Sequence, residues 1–237
     1  MNSEVIIHVD GVTKRFGHVL ALRDLSLQLR QGRCLGIFGP NGAGKTTLLK
    51  ILSTLTRPST GSVSIAGYDT VRQADKIRPL LGVLGHQSFL YGHLTAIENL
   101  QFYGRLFGVN KLPERVAEML EAVGLEMHAQ RLVRTYSRGM QQRLAIARVL
   151  LHYPPILLLD EPYTGLDQQA IQRVQELLQQ SHVPDRTIIL STHDLQRGLE
   201  LCDDIAIQCH GRIVYYGSAL GIDSRSFEKL YVAHIGV

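Results

Sequence analysis

Residues Gly39 to Thr47 read GPNGAGKTT, which fills the pattern GxxxxGK[ST] at every defined position. Its setting constrains the fold as much as the loop itself. Cys34 to Phe38 (CLGIF) precede it as an apolar run of strand length, and Leu48 to Leu52 (LLKIL) follow with a helical pattern. A chain that leaves a buried strand, turns through glycines and enters a helix at once aims several backbone N–H groups at one point. Glycine permits the turn because no Cβ obstructs it, and the positive end of the helix faces the same point. An anion belongs there. In a phosphate chain, Lys45 would bridge the outer groups and Thr46 would hold Mg²⁺.

A second segment completes that chemistry. Ile156 to Glu161 read ILLLDE, an apolar strand that delivers Asp160 and Glu161 to its C-terminal end, where ligands of open α/β sheets collect. Asp160 suits the Mg²⁺ shell through water, and Glu161, one residue further, suits a general base that polarises the attacking water. Phosphate loop and acidic strand together predict a nucleoside triphosphatase.

The rest of the chain fits around these two segments. Cys34–Phe38, Ile156–Leu159 and Thr187–Leu190 (TIIL) are almost continuously apolar, as strands covered on both faces must be. Their alternation with helical stretches predicts an α/β fold with a mainly parallel sheet. Ser26–Leu29 and Ser62–Ile65 alternate polar and apolar residues, which predicts an antiparallel β subdomain in the first third. Residues 95 to 151 read as helical. Val116, Met119, Leu120 and Val123 mark one helix face, Pro113 fits its first turn, and Ile97, Leu100, Tyr103, Leu106 and Phe107 form a second core-facing stripe. This block reads as a helical lobe inserted into one domain spanning residues 1–237.

Five further segments, in order, carry a resemblance. Tyr136 to Arg143 (YSRGMQQR) shortly precede ILLLDE; Gln87 follows the strand-like Leu81–Leu84; Thr164 to Asp167 read TGLD; His193 follows TIILST; Phe16 stands in KRFG. The chain thereby resembles the ATP-binding subunits of ABC transporters over nearly its whole length. The resemblance implies a P-loop NTPase core that binds ATP and Mg²⁺. It implies an ATP site built from Gly39, Pro40, Asn41, Gly42, Ala43, Gly44, Lys45, Thr46 and Thr47, with Phe16 stacked on adenine. It assigns Thr46, Gln87 and Asp160 to the metal, and Glu161, His193 and Gln87 to catalysis. It places Ser137, Arg138, Gly139 and Asp167 on nucleotide across a head-to-tail sandwich with a second copy or another cassette. Ser137 is a suitable N-cap for a helix beginning near Gly139, which turns that helix's positive end toward phosphate. Integral membrane subunits complete the implied machine, with the chain peripheral on the cytoplasmic face.

The signature departs from the common LSGGQ: Tyr136, Arg138 and Met140 replace Leu, Gly and Gln, while Gly139 is kept. Together with RTYSRGMQQRLAIAR and DEPYTGLD this is similar to the haem-exporter ATPase of cytochrome c maturation, with a drug, lipid or ion exporter cassette as the alternative.

Composition excludes other classes. A net charge of +4 without a dense basic run gives no nucleic-acid footprint. Three scattered cysteines without CxxC spacing predict reduced, packed thiols rather than disulfides or a zinc site. No CxxCH occurs, so the ten histidines do not read as haem ligands. No guanine-reading NKxD-type segment is present, and neither a tandem cassette nor a long coiled coil of the kind found in soluble cassettes of translation and repair is visible. No apolar run approaches about 20 residues, and the acidic start MNSEVIIHVDG lacks a signal-peptide pattern, so the chain is expected in the cytosol.

Overall fold

The computed structural model describes residues 4–180 and 186–236. Among the described residues ten strands and eight α-helices follow one another as β1 (Val5–Phe16), β2 (Val19–Arg30), β3 (Cys34–Phe38), α1 (Lys45–Leu52), β4 (Thr60–Ile65), β5 (Tyr68–Asp69), α2 (Ala74–Ile77), β6 (Leu81–Leu84), α3 (Ala96–Leu106), α4 (Leu112–Ala122), α5 (Arg138–Leu150), β7 (Ile156–Asp160), α6 (Gln168–Gln180), β8 (Thr187–Thr192), α7 (Leu195–Leu201), β9 (Asp204–Cys209), β10 (Arg212–Ser218) and α8 (Ser224–Ile235).

Two sheets result. The alternating segments of the first third form an antiparallel sheet in the order β2-β1-β4-β5. The apolar runs form the second sheet, β10-β9-β3-β8-β7-β6, in which only the β9–β10 pair is antiparallel. Every residue of β3, β7 and β8 is buried, as the continuous apolar pattern requires. Leu48, Leu49, Ile51 and Leu52 of α1 fill the layer between the sheets, against Val9 and Leu27 on one side and Leu158 and Ile189 on the other. The opposite face of the parallel sheet carries α3, α4 and α5, where Leu100, Val116, Met119, Leu120 and Val123 pack with Leu144 and Leu157.

Polar groups hold the helical block together and tie it to the sheet. Arg115 donates to the carbonyls of Leu150 (2.8 Å) and Leu151 (3.2 Å) at the end of α5, and Arg143 donates to those of Val123 (2.8 Å) and Gly124 (2.9 Å) after α4. Both satisfy carbonyls that a helix end leaves without intrahelical partners. Arg148, also in α5, donates to Val83 O of β6 at 2.9 Å.

The second predicted stripe holds only in part. Leu100 is buried, and Ile97 and Tyr103 pack against the core, but Leu106 is 68% exposed and Phe107 is the C-cap of α3. At about 100° per residue, Leu106 lies half a turn round the helix from Ile97 and faces outward. Phe107 instead stacks flat on His152, with centroids 3.9 Å apart. All three cysteines are buried free thiols, and Cys34 and Cys202 lie with their sulfurs 3.6 Å apart. Among the described residues no helix is long and apolar enough to cross a membrane.

His152 is held neutral. Burial lowers its pKa from 6.5 to about 4, against the opposing effect of its contact with Leu81 O, and the Arg148 and Arg186 charges push the same way as burial. The unfolded chain takes up this proton near 6.5 while the folded chain does not, so His152 favours folding above that pH and loses its contribution as pH falls toward about 4. We expect His152→Gln to flatten the decline in urea-unfolding free energy between neutral pH and pH ~5 by about 1 kcal/mol, after allowing for partial solvent screening.

Candidate active site at the phosphate loop

The loop closes where the end of β3 meets the start of α1. Gly39 takes φ +156°, and a Cβ there would collide with the carbonyl oxygen of Gln208 in β9. Gly44, the N-cap of α1, takes φ +104° and has no side-chain capping bond. The first-turn N–H groups of α1 therefore point into the loop with no side-chain acceptor at the cap. Ala43 O accepts from the Gln208 amide at 3.1 Å and from Gly211 N at 3.0 Å, which pins the loop to the β9–β10 hairpin. Gln208 is fully buried, and nothing in its sequence neighbourhood marks it as a loop support.

Lys45 is nearly buried and donates to Gly39 O at 2.5 Å and Pro40 O at 3.2 Å. Burial lowers its pKa, while the nearby Glu161 and Asp160 charges act to raise it. Thr46 donates to Asp160 Oδ2 at 2.8 Å, and the other carboxylate oxygen of Asp160 accepts from Ser191 Oγ at 2.5 Å. Thus α1, β7 and β8 converge on one carboxylate. Thr46 and Asp160 present hard oxygen donors side by side, which suits a hard divalent cation such as Mg²⁺.

Glu161 lies just past the strand, in a left-handed backbone conformation (φ 51°) uncommon for a non-glycine residue. Its N–H donates to Ser191 O at 3.0 Å, and its carboxylate lies 2.9 Å from His193 Nδ1. A cavity of about 310 Å³ opens on this group, lined by Val19–Ala21, the loop residues 41–47, His86, Asp160 and Glu161.

The other expected residues lie outside the lining of this cavity. Phe16 is 48% exposed at the β1–β2 turn, with the Lys14 ammonium 4.8 Å from its ring centroid, and Val19, Leu20 and Ala21 form that wall of the cavity in its place. Gln87 lines an adjoining cavity of about 390 Å³ that Thr46, His86 and Asp160 also line. His86, directly before Gln87, also meets Thr46 and Asp160, with Nε2 3.4 Å from each, and nothing in the sequence singled it out. Ser137 caps α5 by accepting from Met140 N at 3.2 Å. Neither Ser137 nor Gly139 lines the cavity of their own phosphate loop. Asp167 accepts from Ala170 N at 2.8 Å, as a cap at the start of α6 does. Arg138 is exposed, runs its stem along Gly165 and reaches a third cavity of about 160 Å³ shared with His86, Asp160 and Glu161.

The family model described as ABC transporter matches residues 22–164. The chain belongs to the ABC transporter family. Among curated relatives, the ABC transporter ATP-binding protein NatA of Bacillus subtilis is 40% identical over 203 residues, covering 84% of this chain and 82% of that protein. The doxorubicin resistance ATP-binding protein DrrA of Mycobacterium tuberculosis is 39% identical, covering 95% of this chain and 69% of that one. The Nod factor export ATP-binding protein I of Ralstonia nicotianae is 37% identical over 92% of the chain and 68% of its own length. The ATP-binding cassette MJ0796, solved as a post-hydrolysis dimer with ADP and Pi, superposes with a TM-score of 0.84 at 29% identity, covering 92% of this chain and all of that one. The cassette is thus an ATP-binding ABC ATPase whose hydrolysis is coupled to transport.

Lys45 is the one cation in the cassette's loop GPNGAGKTT. Charge-assisted bonds to phosphate contribute about 1.5–3 kcal/mol. Lys45→Ala should therefore weaken MgATP binding roughly 10- to 100-fold by calorimetry. Unchanged affinity would show that the phosphates lie elsewhere.

Proposed function

We propose that this cassette binds MgATP at the loop of residues 39–47 and hydrolyses it with Glu161 as general base, in a sandwich with a second cassette, to drive export through separate membrane subunits at the cytoplasmic face. The observation that carries the chemistry is the convergence of Lys45, Thr46, Asp160 and Glu161 on one cavity, with Glu161 held by His193. Lys45 exchanges the Gly39 and Pro40 carbonyls for phosphate oxygens. Thr46 and Asp160 would hold Mg²⁺, which would neutralise the negative charge that grows on the phosphate oxygens. Glu161 takes a proton from water as its oxygen attacks the terminal phosphorus; the bond to the bridging oxygen breaks, leaving ADP and phosphate. His193 orients that carboxylate.

The second cassette supplies what the first does not bring to its own loop. Ser137 and Gly139 stand away from their own phosphate cavity, yet the α5 N-terminus they form suits phosphate. The post-hydrolysis dimer of MJ0796 supports this arrangement. The helical block at residues 95–151 is then the lobe that carries the signature.

For cargo, a drug, lipid or ion exporter is better supported than haem export. Relatives are named for daunorubicin, doxorubicin and linearmycin resistance and for Nod factor export, and none of these names carries haem.

Glu161→Gln keeps the side chain's shape and removes the base. ATPase activity should fall by about 10²-fold or more, and the purified variant should sediment as an ATP-dependent dimer. Near-normal turnover would remove Glu161 from catalysis.

Arg138 places a cation at the positive end of α5, a cost of about 0.3–1 kcal/mol that an anion across the sandwich reverses. In the Glu161→Gln background, Arg138→Gly should weaken the ATP dimer and reduce its salt dependence, with ATP affinity of the monomer unchanged. Equal dimerisation across a salt series would leave Arg138 as a solvated side chain.

A further inference from the structure

Glu161 stands in a conformation that its neighbours must enforce. It precedes Pro162, and a residue before proline is ordinarily extended, yet its backbone is left-handed at φ 51°. A non-glycine residue stays there only where the surroundings over-determine it. Glu161 N donates to Ser191 O at 3.0 Å, and Thr164 N donates to Glu161 O at 3.2 Å, which closes a turn. The next carbonyl, that of the buried Pro162, accepts instead from the side-chain amide of Gln142 in α5, at 3.0 Å.

This bond belongs to a wider seam between α5 and the segment after the base. Gln142 comes four residues after Arg138, on the same face of α5, and both line the cavity of about 160 Å³ that Glu161 and Thr164 also line. Where α5 begins the two backbones approach closely: a Cβ on Gly139 would come within 3.0 Å of Gly165 O. The stretch 162–165 thus rests on the first turns of α5, and Gln142 is the side chain of the seam that reaches the peptide next to Glu161. Gln142 does not line the cavity of the phosphate loop.

We propose that Gln142 is a positioning residue for hydrolysis. Its amide holds the Pro162 carbonyl and, through that peptide, keeps Glu161 in the left-handed backbone that turns its carboxylate to the cavity. This rests on Glu161 being the general base. The amide acts as a donor: a leucine in its place leaves a buried carbonyl unpaired, and a glutamate carboxylate sets acceptor against acceptor. The placing of α5, the helix that begins at the signature, is thereby felt at the base of its own cassette.

The test uses the full chain and measures single-turnover release of labelled phosphate from MgATP, with MgATP affinity read by calorimetry. Gln142→Leu should slow turnover about 10- to 100-fold and leave MgATP affinity unchanged, a split that general loosening of the fold would not produce. Gln142→Glu keeps the size of the side chain, should lose at least as much, and carries the test if the leucine variant folds poorly. Adding either change to Glu161→Gln should cause no further slowing, because the base that Gln142 positions is already gone. Parent-like turnover in both Gln142 variants, a loss that follows MgATP affinity, or losses that multiply in the double variant would each overturn the positioning role while leaving Glu161 as the base. Near-normal turnover in Glu161→Gln alone is the other failure: Glu161 is then not the base, and the proposal for Gln142 falls with it.

Discussion

The carboxylate of Asp160 is the joint on which the site depends. One oxygen accepts from Thr46 at the start of α1 and the other from Ser191 in β8. Three elements from distant parts of the chain are thereby set relative to one another by a single buried side chain. The residue is only 5% exposed, so its oxygens are satisfied by hydrogen bonds rather than by bulk water. Because β7 is covered on both faces, its end cannot drift without disturbing α1 on one side and the helical block on the other. The next residue, Glu161, inherits that precision and is turned toward the cavity by its left-handed backbone.

The helical block is attached by a different device. Its apolar faces pack on the parallel sheet, but packing alone is non-directional. The directional contacts are arginine side chains: Arg115 and Arg143 lock α4 and α5 to each other through helix-end carbonyls, and Arg148 ties α5 to the sheet through Val83 O. Asn99 adds a fourth tether: fully buried, it accepts from Tyr91 N at 2.8 Å and donates to Tyr91 O at 3.0 Å. That fixes the segment that runs from His86 and Gln87 into α3. The signature helix α5 is thus coupled through Val83 to β6, and the segment after β6 carries the side chains that adjoin Thr46 and Asp160. A shift of the block and a shift at His86 or Gln87 share the same short stretch of backbone.

Much of this could be read from the sequence, because local pattern and local chemistry coincide. The strands at Cys34–Phe38 and Ile156–Asp160 announce themselves by burial on both faces, and GPNGAGKTT by a loop geometry that few sequences satisfy. Ser137 caps its helix because a hydroxyl before an open N-terminus does so wherever it occurs. What could not be read depends on side-chain direction and distant partners. Leu106 fell off its stripe through half a helical turn. Gln208, which supports the loop from 165 residues away, leaves no local trace. His86 and Gln87 are neighbours in an irregular segment, where no periodicity fixes which side chain touches Thr46 and Asp160. Phe16 sits at a hairpin tip, where strand pattern specifies the pairing with Val19 but not the ring's direction.

Lys45 shows how the loop is held ready for its ligand. A lysine buried without partners would lose its charge; here the ammonium is satisfied by the Gly39 and Pro40 carbonyls and sits near the charges of Asp160 and Glu161. The same two carbonyl bonds stitch the start of the loop to the start of α1, so the loop's shape is set by its own cation. A phosphate then competes with carbonyl oxygens rather than with a disordered chain. Exchanging a neutral acceptor for a charged one favours the phosphate, and the ordering cost has been met in folding rather than at binding. The burial that lowers the pKa of Lys45 also strengthens its attraction to an incoming anion. The loop can therefore be rigid and tight-binding at once, with Gly39 and Gly44 providing the turns and Gln208 the brace against which the lysine closes.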